Sequence, residues 1–275
     1  MLDLMKTDLK RALKDKLFMV LCIIAGVFAV ITPLLYKGIF ALLEFDAETM
    51  EGMEMLGLGI DAKTMFFSSF SLGNNFGLIL PIFVAIILCK DFGGGTIRNK
   101  IICGKSRGSI YLSMFTTCVI LMIGFIMAHA LLTLLVSLVF FDYQAAEFTA
   151  SDFGYLMASL GLEVLIYLMV AALLTFFIVY MKNSGLSIVM YFVIMFVMTI
   201  IGSITMTVIM FADPEATSYK ILEFLNTANA FTTTAIGNGT SYELGDLLTL
   251  IIPNVALTAL FVALGYFAFK KKDIK

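Results

Sequence analysis

Two ionisable side chains sit where charge is expensive. Glu163 lies within the apolar run from Phe153 to Met181, and His129 within the run from Ile110 to Phe141; neither run contains Lys or Arg. A carboxylate facing hydrocarbon is costly, so Glu163 must face protein or water, and such groups by default mark a substrate path, a relay or a coupling pair. At 1.5 Å per helical residue, Glu163 falls about 13 Å and His129 about 18 Å from the same membrane edge, close enough in depth for antiparallel neighbours to join them. A hydrogen-bonded packing contact is the simpler reading of His129. Asn74 and Asn75 close the small, polar stretch Ser68-Ser69-Phe70-Ser71-Leu72-Gly73-Asn74-Asn75, which suits a wet cleft or another helix better than lipid. Glu163, His129, Asn74 and Asn75 are therefore the candidates for a translocation path.

Other chemistries find no support. H-E-x-x-H does not occur, and Gly104-Lys105-Ser106-Arg107-Gly108, which fits G-x-S-x-G, follows a membrane segment in a basic loop rather than the strand that motif requires, so an intramembrane hydrolase finds no support. Cys22, Cys89, Cys103 and Cys118 show no metal-ligand spacing and read as reduced, apolar filler. Gly104-Lys105-Ser106 resembles the end of a phosphate-binding loop, but Asn99 stands where that motif needs its first glycine. The residues before it form a membrane segment rather than the required buried strand. The chain itself is thus expected to bind no nucleotide, no metal and no nucleic acid.

The elements that position these residues follow from hydropathy. Of 275 residues, 61% are apolar and 14% charged, against roughly 45–50% and about 25% in soluble domains. Water cannot be the only solvent for such a chain. Six stretches reach the roughly 20 apolar residues that span a bilayer: about 17–36, 66–89, 110–141, 153–181, 185–212 and 244–269. Backbone groups find no partners in lipid, so the spans must be helices. The expected fold is an all-α integral membrane protein with six transmembrane helices, forming a single transmembrane domain over 1–275. Pro33, Pro81 and Pro253 are candidate kinks. Sixteen charge-rich residues precede the first span, which is too long for the core of a cleaved signal peptide.

The charged minority orients the chain. All but Lys37, Lys63 and Lys220 of the 18 basic residues fall in 1–16, in 90–109, at Lys182 or in the tail. The acids Glu44, Asp46, Glu48, Glu51, Glu54, Asp61, Asp142, Glu147, Asp152, Asp213, Glu215, Glu223, Glu243 and Asp246 gather on the opposite side. Basic segments favour the cytoplasm, so both termini are expected there. The net charge of −2 is then a balance between two opposed faces.

Three of the segments outside the spans carry further signals. Residues 1–16 read as an amphipathic interfacial helix, with Leu2, Met5, Leu9, Ala12 and Leu13 on the apolar face and Lys6, Lys10, Arg11 and Lys14 away from it. In 90–109, Gly93-Gly94-Gly95 ends one helix, Thr96 is placed to cap the next, Ile97 and Ile101 share a face, and Gly104 closes it. Such a short amphipathic helix can dock into a groove on another protein. In 213–243, short apolar pieces around Ile221 to Leu225 and Ala228 to Ile236 suit a re-entrant hairpin or an ordinary outer loop. Asn238-Gly239-Thr240 matches a glycosylation pattern that also arises by chance.

These features together resemble ABC-2-type transporter permeases. The resemblance rests on Asp91 after the second span, then Gly95-Thr96-Ile97-Arg98-Asn99-Lys100, Gly104-Lys105-Ser106-Arg107, Ile110-Tyr111 opening the next span, and the tail Phe269 to Lys275. It covers essentially the whole chain and looks most like the small six-span exporters of peptide toxins and bacteriocin-immunity systems. The resemblance implies a non-enzymatic subunit in a bacterial plasma membrane. It would pair with a second permease copy, identical or paralogous, and with two ATP-binding cassette subunits that bind ATP and Mg. By the same analogy 90–109 carries the coupling helix, with Thr96, Ile97, Arg98, Asn99, Lys100 and Ile101 contacting the ATPase.

The substrate expected is hydrophobic or amphipathic, with cytotoxic or antimicrobial peptides leading and drugs or lipids as alternatives. The 18 Met and 26 Phe residues suit such a cargo, though lipid-facing helices need them equally. An ion-coupled secondary transporter or channel is the rival class. It should show an intramembrane ionisable cluster and an internal repeat, whereas one Glu, one His and no evident repeat are present.

Overall fold

The computed structural model describes residues 2–43, 61–73, 75–143, 148–212, 216–231, 236 and 242–271. Among these the regular elements are all helices, without strands, and six helices are long and apolar enough to cross a membrane. The chain thus has the character of a multi-pass membrane protein. Asn74, the side chain of Asn75, Asn238-Gly239-Thr240 and the last four residues lie outside the described set.

In chain order the helices are α1 (Leu2–Leu13), α2 (Lys16–Leu43), α3 (Ala62–Ser68), α4 (Asn75–Gly93), α5 (Thr96–Ile102), α6 (Arg107–Ser137), α7 (Ala150–Met181), α8 (Ser184–Ile209), α9 (Thr217–Ala228) and α10 (Leu244–Lys271). Pro33, Pro81 and Pro253 lie inside α2, α4 and α10. The second apolar stretch is not one helix, as its hydropathy suggested. It breaks after α3, and α4 begins only at Asn75. The intervening turn folds back so closely that a Cβ on Gly77 would collide with the backbone of Ser71 and Leu72. Asp61 caps α3 by accepting from Thr64 N at 2.6 Å, and the loop carbonyls of Asp142 and Tyr143 take the free N–H groups of Ala62 and Lys63.

The bundle is built around α6 and α7. α6 packs on α1, α2, α3, α4 and α10 as well as α7, and α7 makes its most extensive contact with α10. α7 is the most buried span, with Tyr167, Val170, Ala171, Ala172, Leu174, Ile178 and Val179 inaccessible. In lipid, helices associate by close packing and hydrogen bonds rather than by expulsion of water, which favours small residues at contacts. The α6–α10 crossing shows this. Gly108 lies under the Tyr266 ring and Gly265 under the Tyr111 ring, each pair leaving no room for a Cβ. The outward faces of α2, α8 and α10 remain apolar and exposed, for example Ile23, Val27, Phe196, Ile200, Ile252 and Leu260. Only a hydrocarbon solvent or a further protein surface accommodates such belts.

Candidate functional site

One end of the bundle gathers α1, the start of α2, the end of α4, α5, the start of α6 and the end of α10. Arg107 Nη1 donates to Lys270 O at 3.0 Å, and Lys90 Nζ reaches Asp15 at 2.7 Å. This end carries most of the basic residues already noted. Burial alone would raise the Asp15 carboxyl, but the Lys90 ammonium and the Leu17 N–H outweigh it and hold the group below its ordinary 3.8.

A buried cluster of charge lies beneath the surface here. Asp8 of α1 and Asp91 at the end of α4 are 4% and 3% exposed. Lys100 of α5 bridges them, with its Nζ 2.7 Å from Asp8 and 3.2 Å from Asp91. Arg11 of α1 pairs with Asp91 and approaches Asp8 at 3.8 Å. Ser113 of α6 donates to Asp8 Oδ2 at 2.7 Å. Two buried acids and the largely covered Lys100 therefore meet away from water, and Arg11, 42% exposed, closes the set from the surface. Removing Lys100 costs about 3–5 kcal/mol, because it leaves a carboxylate buried and unpaired, whereas the exposed Arg11 contributes less.

The cluster changes the reading of both flanking helices. α1 buries Leu4, Asp8 and Ala12 against α6, while Leu2 and Leu13 are exposed. The sequence-based apolar face is thus split: one edge meets protein, and the edge carrying Leu2 and Leu13 is free to meet lipid. The signal that could have revealed this is the i, i+4 row Leu4-Asp8-Ala12, in which an acid interrupts an otherwise apolar line. In α5, Ile97 is 1% exposed, Ile101 packs against the core, and Lys100 belongs to the cluster. Its open face consists of Arg98, Asn99, Ile102 and Cys103. Thr96 does not cap α5. Gly95 holds the cap position with φ 67°, and no side chain completes it. The glycines do end the helices as expected, with Gly104 at φ 78° closing α5.

The intramembrane residues are placed apart. His129 Nδ1 lies 3.1 Å from Ala25 O of α2, and its ring packs on Phe76 at 4.6 Å. A carbonyl only accepts, so Nδ1 carries the proton in this contact. Among the described residues no hydrogen bond or ion pair joins His129 to Glu163. Glu163, 5% exposed, stands in a column on α7 with Tyr155, Ser159 and Tyr167. Tyr242 stacks on Tyr155 at 4.6 Å and shares a 2.8 Å hydrogen bond with Ser159, while Tyr167 donates to Phe70 O at 2.8 Å. Lys63 lies over the Tyr155 ring at 5.3 Å. The column places a carboxyl group between two anchored tyrosines in the most buried helix.

A second buried polar contact was not foreseen. Asn254 of α10 is fully buried and reaches Leu250 O at 2.8 Å and Ala228 O at 3.5 Å, and Asn229 donates to Met198 O at 2.8 Å. Asn254 and Met198 each lie about ten residues, or roughly 15 Å, from the ends of their helices on the side opposite the basic cluster.

A family model described as a protein of unknown function, DUF2705, matches residues 53–275. The chain belongs to that family. No curated protein and no solved structure shows a match to it. The matched region takes in α3 to α10, and so includes Asp91, Lys100, Ser113, Glu163 and Asn254, but not Asp8 or Arg11.

Proposed function

We propose that this chain is the permease subunit of an ATP-driven exporter of the ABC-2 type. It would work as a pair with a second permease copy, carrying hydrophobic or amphipathic cargo, cytotoxic peptides foremost, outward across a bacterial plasma membrane. Two separate ATP-binding subunits would bind and hydrolyse ATP with Mg. The observation that carries this reading is α5: a short helix outside the spans, seated on the bundle by Ile97 and Lys100, with Arg98, Asn99, Ile102 and Cys103 turned outward. A helix that only linked two spans would need neither a buried anchor nor a free polar face. The seating supports a division of roles within the segment in this reading. Arg98 and Asn99 make the contact with the ATPase, Thr96 borders it, and Ile97, Lys100 and Ile101 hold the helix to its own chain.

In this reading the basic end is cytoplasmic, and α1 lies in the inner interface with Leu2 and Leu13 toward lipid. The segment from α9 to Phe231 dips into the membrane from the other side, supported by the depth at which Asn229 and Asn254 engage it. Glu163 lies beside the path of the cargo. Its burial without a described ion pair also favours a second reading, an ion-coupled transporter that needs no ATPase.

Reconstitution separates the two. The purified chain is placed in vesicles with the ATPase encoded beside it and offered an amphipathic peptide. Export should require ATP, should fall in Glu163→Gln, and should be lost in Arg98→Glu together with co-purification of the ATPase. Transport driven by an ion gradient without ATP, or full ATPase binding by Arg98→Glu, would overturn the proposal.

A further inference from the structure

The break between α3 and α4 lies at mid-membrane depth, and two separate spans place it there. Tyr167 stands at the middle of the apolar run from Phe153 to Met181, about 21 Å from either end. Its hydroxyl donates to Phe70 O at 2.8 Å. His129 stands about 5 Å from the middle of the run from Ile110 to Phe141, and its ring packs on Phe76 in the first turn of α4. The other end of α3 is at the membrane edge. Lys63 lies over the ring of Tyr155, near the start of the same apolar run as Tyr167, and the loop after α6 takes the N–H groups of Ala62 and Lys63. α3 therefore descends from the edge opposite the basic cluster to the middle of the bundle, alongside the polar column of α7. Glu163 stands on that column between Tyr155 and Tyr167.

On the basic side Glu163 is shut off by the packed stretch of Val170, Ala171, Ala172, Leu174, Ile178 and Val179. Toward the other side the column is overlaid by α3 and by Tyr242, which stacks on Tyr155 and bonds to Ser159. With seven residues, α3 is too short to be stable alone, so its contacts fix its place. Met65, Phe66 and Phe67, with Phe70 just after, are buried. In water these side chains would lock the helix down. In a bilayer they lose little on moving, because lipid tails are as apolar as the helices they leave. The polar contact at mid-depth behaves differently. Parting Tyr167 from Phe70 strands a carbonyl where no water replaces the lost donor. In lipid, therefore, the polar contacts at the two ends of the segment, Lys63 on Tyr155 and Tyr167 on Phe70, hold α3 in place more than its apolar area does.

We infer that α3 is a movable cover over Glu163, pinned shut at mid-depth by the Tyr167 hydroxyl, and that releasing this pin opens the carboxyl to water. Tyr167 is a positioning residue in this device. A buried carboxyl without a described partner is of use only where something reaches it, and a cover gives that access without leaving the column permanently wet. The cover depends on the chain lying in a membrane; it rests neither on an ATPase nor on the identity of the cargo.

The test reads thiol labelling of the full chain in lipid nanodiscs. The four native cysteines are replaced by alanine, a single thiol is introduced by Glu163→Cys, and its modification by a charged, water-soluble methanethiosulfonate is followed by mass. Tyr167→Phe, which deletes only the hydroxyl bonded to Phe70 O, should speed labelling at position 163 about fivefold or more. In a separate chain Ile178→Cys places the thiol in the packed stretch on the basic side, where Tyr167→Phe should change the rate by less than about twofold, because the opening is local. Unchanged labelling at 163, or an equal acceleration at 178, would overturn the cover. Should Tyr167→Phe fail to fold, Gly77→Ala is read in its place. Its Cβ would drive away the backbone of Ser71 and Leu72 and should accelerate labelling at 163 in the same way, and no change there would count against the cover equally. The labelling uses no ATP, so a failure of ATP-driven export leaves the cover standing. Export that succeeds while labelling at 163 ignores Tyr167→Phe sinks the cover alone.

Discussion

The residues that matter most at the basic end are acids. Asp8 and Asp91 are more deeply buried than any of the bases around them, and they dictate where Arg11 and Lys100 must point. Asp15 plays a lesser part at the surface, joining the start of α2 to Lys90. Its carboxyl is held below the ordinary 3.8, so its contribution to stability is complete above that value and is lost as pH falls through the lowered one. Thermal unfolding of the detergent-solubilised protein, followed from about pH 5 down to about pH 3, should therefore show an acid-induced loss that is smaller in Asp15→Asn. An identical acid response in the two proteins would remove Asp15 from the junction. Glu163 is the contrasting case. It has burial without a described partner, and its meaning is tested by transport rather than by stability.

Between elements, the bundle depends on a few places where a missing side chain admits a large one. At the α6–α10 crossing, Gly265 accepts the edge of Tyr111 and Gly108 accepts Tyr266. Tyr111 is fully buried and also meets Tyr266 edge-on and Phe269, so it cannot swing aside. Gly265→Ala should thus destabilise the protein by about 1–3 kcal/mol through overpacking, measured as a lower unfolding temperature in detergent. Tyr111→Leu in the same chain should recover part of the loss. No recovery would mean that the alanine acts elsewhere. The same logic explains the break between α3 and α4. The second stretch is apolar enough for one span, but the returning turn needs Gly77 bare and buries Phe66, Phe67, Phe70 and Leu72 against the bundle instead of lipid.

At the scale of the whole molecule, a basic end adjoins broad apolar belts among the described residues. The four cysteines report on which end faces inward without any substitution. Cys103 is exposed at the basic end, Cys22 is exposed on the flank of α2, and Cys89 and Cys118 are buried. A membrane-impermeant maleimide should label Cys103 in inside-out vesicles and leave it unlabelled in intact cells. Labelling from outside would reverse the orientation proposed above. The exposed apolar faces of α2, α8 and α10 are the area open to lipid and, in the pair proposed above, to a second permease copy.

Hydropathy alone determined that there are six candidate spans, though not the break between α3 and α4, because the penalty for leaving backbone polar groups unpaired in lipid is large and local and is read from about twenty consecutive residues. Composition likewise determined the segregation of charge, and the glycines around α5 marked its ends. What only the tertiary structure decided was which residues meet. It turned α1 so that Asp8 faces α6 between Leu4 and Ala12, drew Lys100 inward from a helix whose basic residues looked alike, and left His129 on Ala25 and Phe76 rather than on Glu163. Those outcomes depend on helix rotation and neighbour choice. In a chain whose helices are apolar on nearly every side, periodicity carries little information about either. The rare buried charge, which can be satisfied in few geometries, becomes the feature that selects one.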